Sequence, residues 1–100
     1  MGEATRVAEK LHTHRADILR LAAQHGAGNV RVFGSVARGE ATPDSNLDLL
    51  VEMEPGRSLL DLSRLLLDLQ DLSGCEVDVI PDDSLHWYIR ARVLQEAVPL

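Results

Sequence analysis

One hundred residues with 45% hydrophobic content bound the chain to one domain, residues 1–100, with an aliphatic core, because Phe33, Trp87 and Tyr88 are its three aromatics. A formal net charge of -6 excludes a strong nonspecific grip on nucleic acid, which needs a basic surface, yet leaves room for a nucleotide whose charge a cation meets. A single cysteine, Cys75, excludes an internal disulfide, and neither a signal pattern nor an apolar run of membrane-spanning length is present, so a cytoplasmic, membrane-free protein is expected.

Apolar residues at Ala4, Val7, Ala8, Leu11, Ile18, Leu21 and Ala22 fall on a helical stripe, which predicts a helix over Ala4 to His25, stopped by Gly26 and Gly28. Val30 to Phe33 reads as a short strand, and Ser35 to Gly39 as a short helix after a Gly-Ser turn. Glu40 to Asn46 is a polar loop, and Leu47 to Met53 is a second strand ended by Pro55-Gly56. That loop is too short for a crossover helix, which predicts an antiparallel pair. Ser58 to Leu72 is the clearest helix. Ser58 and Asp61 have capping-box spacing, Leu59, Leu62, Leu66 and Leu69 make one face widened by Leu60, Leu65 and Leu67, and Ser73-Gly74 closes it. Glu76 to Ile80 is a third strand cut by Pro81, and Asp82, Asp83 and Ser84 are expected to cap a last helix running to about Ala97. The order α-β-α-β-α-β-α predicts an α/β fold, a small sheet flanked by helices.

The chemistry concentrates between Gly34 and Val51, GSVARGEATPDSNLDLLV. A Gly-Ser turn after an apolar strand can offer backbone N–H groups to phosphates. In the second strand Asn46 and Asp48 project to the same face, and Asp78 sits likewise between Val77 and Val79. Carboxylates in apolar strands are costly unless they are paired or bind a metal, and such a set can hold Mg²⁺ against phosphates. The bland alternative is a solvent-exposed strand face that Glu52 continues. The turn at its distance and the third acid weigh against it. Arg38 can touch phosphate or pair with Glu40 or Asp44.

Two rival motifs fail. Asp44 to Asp48 opens like a Ca²⁺ loop, but Leu49 stands where that loop needs Gly, and Pro55 where it needs Glu. A P-loop needs a Gly-Lys-Ser/Thr that does not follow Gly34. His12, His14, His25 and His86 have no acid or cysteine at ligand spacing and read as surface histidines, and Cys75 as a packed thiol. Trp87 and Tyr88 are expected to pack on the sheet or on a partner.

The stretch resembles the minimal nucleotidyltransferases of the polymerase-β-like superfamily, whose signature is a Gly-Ser turn, ten residues, Asp-x-Asp, and a third Asp on a later strand. Gly34, Ser35, Asp48 and Asp78 fit it, with Ala37-Arg38-Gly39 and Ser45 in the flanking pattern. Asn46 departs, because the family has its first metal-binding Asp there. The resemblance implies a polymerase-β-like core with a mixed sheet, Mg²⁺ held by positions 46, 48 and 78, ATP as substrate, and Gly34, Ser35 and Arg38 toward its phosphates. It also implies catalytic roles for Asp48 and Asp78, with Asp78 as the acceptor's base. Transfer of AMP to a protein or small molecule is the implied reaction, within a toxin–antitoxin pair whose toxin is a HEPN-type protein. A homodimer is the other partner expected. Asn46 keeps a carbonyl oxygen but lacks a charge, so a module that binds nucleotide or partner without turnover is the alternative.

Overall fold

A computed structural model describes residues 11–40, 46–74 and 76–100. The start of the first predicted helix, most of the Glu40–Asn46 loop with Asp44 and Ser45, and Cys75 lie outside them. The described elements are α1 (Arg15–Gln24), β1 (Ala27–Phe33), α2 (Gly34–Arg38), β2 (Leu47–Met53), α3 (Leu59–Ser73), β3 (Val77–Pro81), a 3₁₀ turn (Asp82–Ser84), α4 (Trp87–Glu96) and β4 (Val98–Pro99). Residues 11–13 are also helical, separated from α1 by a turn at His14.

The sheet runs β3-β2-β1-β4. β1 pairs antiparallel with both β2 and β4, while β2 and β3 are parallel. The sheet is therefore mixed, and its first pair is antiparallel as expected, although the connection between the two strands also includes α2. The parallel pair needs a crossover, which α3 supplies. Alternation explains the core. Val30, Val32, Leu47, Leu49, Val51 and Val77 cluster with Ile18 and Ala22 of α1 and Leu65 and Leu69 of α3.

Helix α3 forms as its sequence specifies. The Ser58 side chain accepts from the Leu60 N–H, Asp61 accepts from the Ser58 N–H at 3.0 Å, and Gly74 ends the helix at φ 69°. Only part of the predicted leucine face is buried. Leu65 and Leu69 reach the core and Leu62 and Leu66 are half-buried, but Leu59, Leu60 and Leu67 are exposed.

Four features differ from the sequence reading. β1 begins at Ala27 rather than Val30, because Gly28 pairs with Glu52 within the strand and Asn29, at φ 46°, takes up a bulge. Asp82–Ser84 is a 3₁₀ turn and does not cap α4. Asp82 faces Arg31 at 3.6 Å and its carbonyl accepts from Arg90, so His86 occupies the N-cap without a side-chain bond. β4 follows α4 unannounced, since two residues carry no periodicity. Trp87 and Tyr88 do not pack on the sheet: they are 81% and 67% exposed and stack edge-on with each other.

Candidate active site

Parallel register brings the two acids together. Asp48 of β2 and Asp78 of β3 are direct Cα partners, so their side chains leave the sheet side by side on one face. Asn46 lies two residues before Asp48 on that face, and its Nδ2 donates to Asp78 Oδ2 at 3.2 Å. On its other side Asp48 is the partner of Phe33, the last residue of β1, so its carboxyl lies under the turn that follows. Burial first, then the neighbouring Asp78 charge and a hydrogen bond with it, push the Asp48 carboxyl up from the ordinary carboxylate value. Arg38 opposes that shift and Glu96 adds to it.

Gly34 is required twice. Its φ of 75° is left-handed, and a Cβ there would strike the Asp48 carboxylate. The glycine lets β1 turn directly into α2 over the acid. Ser35 follows in the first turn of α2, and Gly39 closes the helix in the left-handed region. The predicted residues Gly34, Ser35, Asn46, Asp48 and Asp78 thus gather at one place, the joint between β1 and α2 and the adjoining edge of β2 and β3.

Arg38 is half-exposed and pairs with acids. Its Nε donates to Glu40 Oε2 at 2.9 Å, one of the two partners read from sequence, and its Nη1 donates to Glu96 Oε1 at 2.7 Å. Asp44, the other, lies outside the described residues. Glu96 belongs to the last turn of α4 and was not singled out in the sequence. Its second oxygen accepts from the Gly34 N–H at 3.3 Å. The Arg38 guanidinium holds the Glu96 carboxyl below the usual range, with the Gly34 N–H assisting. One local signal pointed to it: an acid at a helix C-terminus opposes the macrodipole, and a residue that breaks a local rule often serves a tertiary or functional contact.

His25, read as a surface histidine, has a surface partner, since its Nε2 lies 2.8 Å from Asp68 Oδ2. Its partner comes from α3 and is invisible to spacing along the chain. Among the described residues no three His, Cys, Asp or Glu side chains form a metal-binding group. The donor set beside Gly34 is two carboxylates and one amide. Hard oxygen donors of this type suit Mg²⁺, and the Asp78 charge, which adds to burial in raising the Asp48 pKa, is what a cation would offset.

Comparisons with known proteins give the family and the fold. The sequence pattern of the nucleotidyltransferase domain matches residues 14–100. MJ0435 of Methanocaldococcus jannaschii, which carries the name of a protein adenylyltransferase, is 43% identical over 81 residues, 81% of this chain and 87% of that protein. Protein adenylyltransferase MntA of Thermococcus cleftensis is 42% identical over 73 residues, 73% of this chain and 74% of that one. A solved structure described as a minimal nucleotidyltransferase superposes with a TM-score of 0.85 and 54% identity, covering 92% of this chain and 94% of that one. A toxin–antitoxin crystal structure with AMP-PNP shares the fold alone, at a TM-score of 0.73 and 17% identity over 84% of this chain and 69% of that one.

Proposed function

The chain belongs to the nucleotidyltransferase domain family, and from that membership we propose that it transfers AMP from ATP to a protein acceptor. One observation carries the reading: Asp48 and Asp78 stand in register on parallel strands directly beside the Gly34-Ser35 turn. Mg²⁺ fits the Asp48 and Asp78 carboxylates, with the Asn46 carbonyl oxygen as a third donor once the amide turns, and when bound it supplies charge neutralisation for the phosphates. Gly34 and Ser35 hold the β- and γ-phosphates, and Arg38 adds charge at the rim.

The reaction forms one bond and breaks one. An acceptor hydroxyl oxygen attacks the α-phosphorus, the bond from that phosphorus to the bridging oxygen breaks, and pyrophosphate leaves with the electron pair. Asp78 accepts the hydroxyl proton. Asp48, half-buried under Gly34, would hold the cation that sits beside the α-phosphate.

The partner is a toxin that the chain neutralises, and a HEPN-type protein is the candidate. Exposed apolar side chains support a docking role: Leu59 is 80% exposed and Trp87 81%. A second reading rests on Asn46, whose amide donates to Asp78 where a third carboxylate would repel it. On that reading the chain keeps the fold and binds without turnover.

Asn46→Asp separates the two. With labelled ATP, Mg²⁺ and the candidate toxin, transfer should rise about 10²–10³-fold, comparable with restoring ~3–4 kcal/mol of transition-state stabilisation. Equal labelling by both chains would remove position 46 from the site. Tight toxin binding with no labelling by either would leave the contact reading.

A further inference from the structure

Glu96 occupies donors that the reading above gives to the nucleotide, and the inference rests on that reading. Its two carboxylate oxygens are divided between two donors: Oε2 takes the Gly34 N–H and Oε1 takes Arg38 Nη1. A phosphate group at this corner would use the same pair. The contact is tertiary, joining the end of α4 to residues about sixty positions earlier in the chain. Local helix energetics do not explain it, since an anion in the last turn of α4 is disfavoured by the helix dipole. It also adds negative charge beside Asp48. Arg38 does not need Glu96 for a partner, because Glu40 holds its Nε. The Glu96 side chain is 19% exposed, so it has solvent to turn toward.

The geometry points to Glu96 as an intramolecular competitor that holds the phosphate corner of the site before nucleotide binds and is displaced by the terminal phosphates of the nucleotide. The chain then binds through two populations, latched and open. Only the open one accepts a triphosphate, so the apparent affinity is the intrinsic affinity reduced by the open fraction. The latch selects its ligand by charge and reach. A triphosphate brings both and replaces both hydrogen bonds. A nucleoside monophosphate, whose phosphate belongs over Asp48, leaves the latch in place.

Calorimetry on the whole chain with Mg²⁺ tests this, using ATP, inorganic tripolyphosphate and AMP as probes. Glu96→Ala should bind ATP and tripolyphosphate about tenfold more tightly, as loss of a charge-assisted competitor requires, and AMP unchanged. Glu96→Gln keeps the side-chain volume and should tighten both several-fold, which carries the test if the alanine chain does not fold. Glu96→Asp keeps the charge but is one methylene too short to bridge both donors, so it too should tighten. Unchanged or weaker triphosphate binding by Glu96→Ala or Glu96→Gln would overturn the latch. So would a gain confined to the neutral variants, which would mean repulsion at a distance. If neither the wild type nor any variant binds ATP or tripolyphosphate, the phosphate reading of Gly34 falls and the latch falls with it; if all bind equally, only the latch falls.

Discussion

Leu47, Leu49 and Val51 point to one side of β2 and Asp48 to the other, and different forces hold the two sides. The first side is a sum of apolar contacts with α1 and α3, each part replaceable by something of similar volume. The second also buries Leu50, but around Asp48 it carries a set of charges brought together against their own repulsion. Its acid is harder to ionise than a free aspartate, its glycine has no room for a side chain, and its arginine is shared between the nearby Glu40 and Glu96 from the far end of the chain. Stability is built on one face of the strand and relinquished on the other, the usual relation of a scaffold to an active site.

Asp48→Asn should break that comparison most visibly. We expect transfer in the Asn46→Asp chain to fall at least about 10³-fold, since an anionic ligand under the turn is lost. The same substitution should stabilise the fold at neutral pH. The pKa of Asp48 is raised by folding, so its stabilising contribution is complete when protonated, below the ordinary value of 3.8, and is lost as pH rises through the folded-state value. Melting curves should therefore show the Asp48→Asn chain ahead of wild type at pH 7 and level with it below pH 3.8. A chain that loses activity and stability together at pH 7 would show that Asp48 supports the fold.

The apolar face sharpens the contrast with the opposite signature. Leu65 is fully buried, and Leu65→Ala should cost about 2–5 kcal/mol in chemical denaturation. Leu67, on the same helix but 64% exposed, should cost less than about 0.5 kcal/mol when changed to alanine. If Leu67→Ala instead abolished toxin binding while leaving the melt unchanged, that leucine would lie in the interface. The smallest effect on function is expected at the helix start. Ser58→Ala removes one side of the capping box and should lower stability by about 1 kcal/mol, with nucleotide affinity unaltered.

The two faces were also unequally legible. Period-two and helical patterns located every long element, and the cap at Ser58 and the stop at Gly74 follow from local chemistry that the chain obeys. The site was legible where one strand or one turn carries it: Asn46 with Asp48, and Gly34 with Ser35. That Asp78 would stand in register with Asp48 could be expected only from the family pattern, because the pairing is made by a crossover. Glu96, the Asp68 partner of His25, the Arg31 partner of Asp82 and strand β4 were missed for one reason. Each is defined by an approach between segments far apart in the chain, and no short window contains both sides of it. The mistaken cap at Asp82–Ser84 has the same origin in part, since the Asp82 carboxylate faces Arg31 of β1.

The parallel register of β2 and β3 has a kinetic consequence. β1 and β2 are joined by a shorter connection than β2 and β3, and β3 reaches its place only after the chain from Met53 to Val77 has closed around α3. Asp48 and Asp78 therefore meet only after that closure, with their charges opposing the approach. A chain caught part-way can carry helices, a hairpin and much of its leucine core, and still have no place for a cation or a nucleotide. The meeting of the two carboxylates is in this sense a readout of completed topology, since it waits for the crossover to shut.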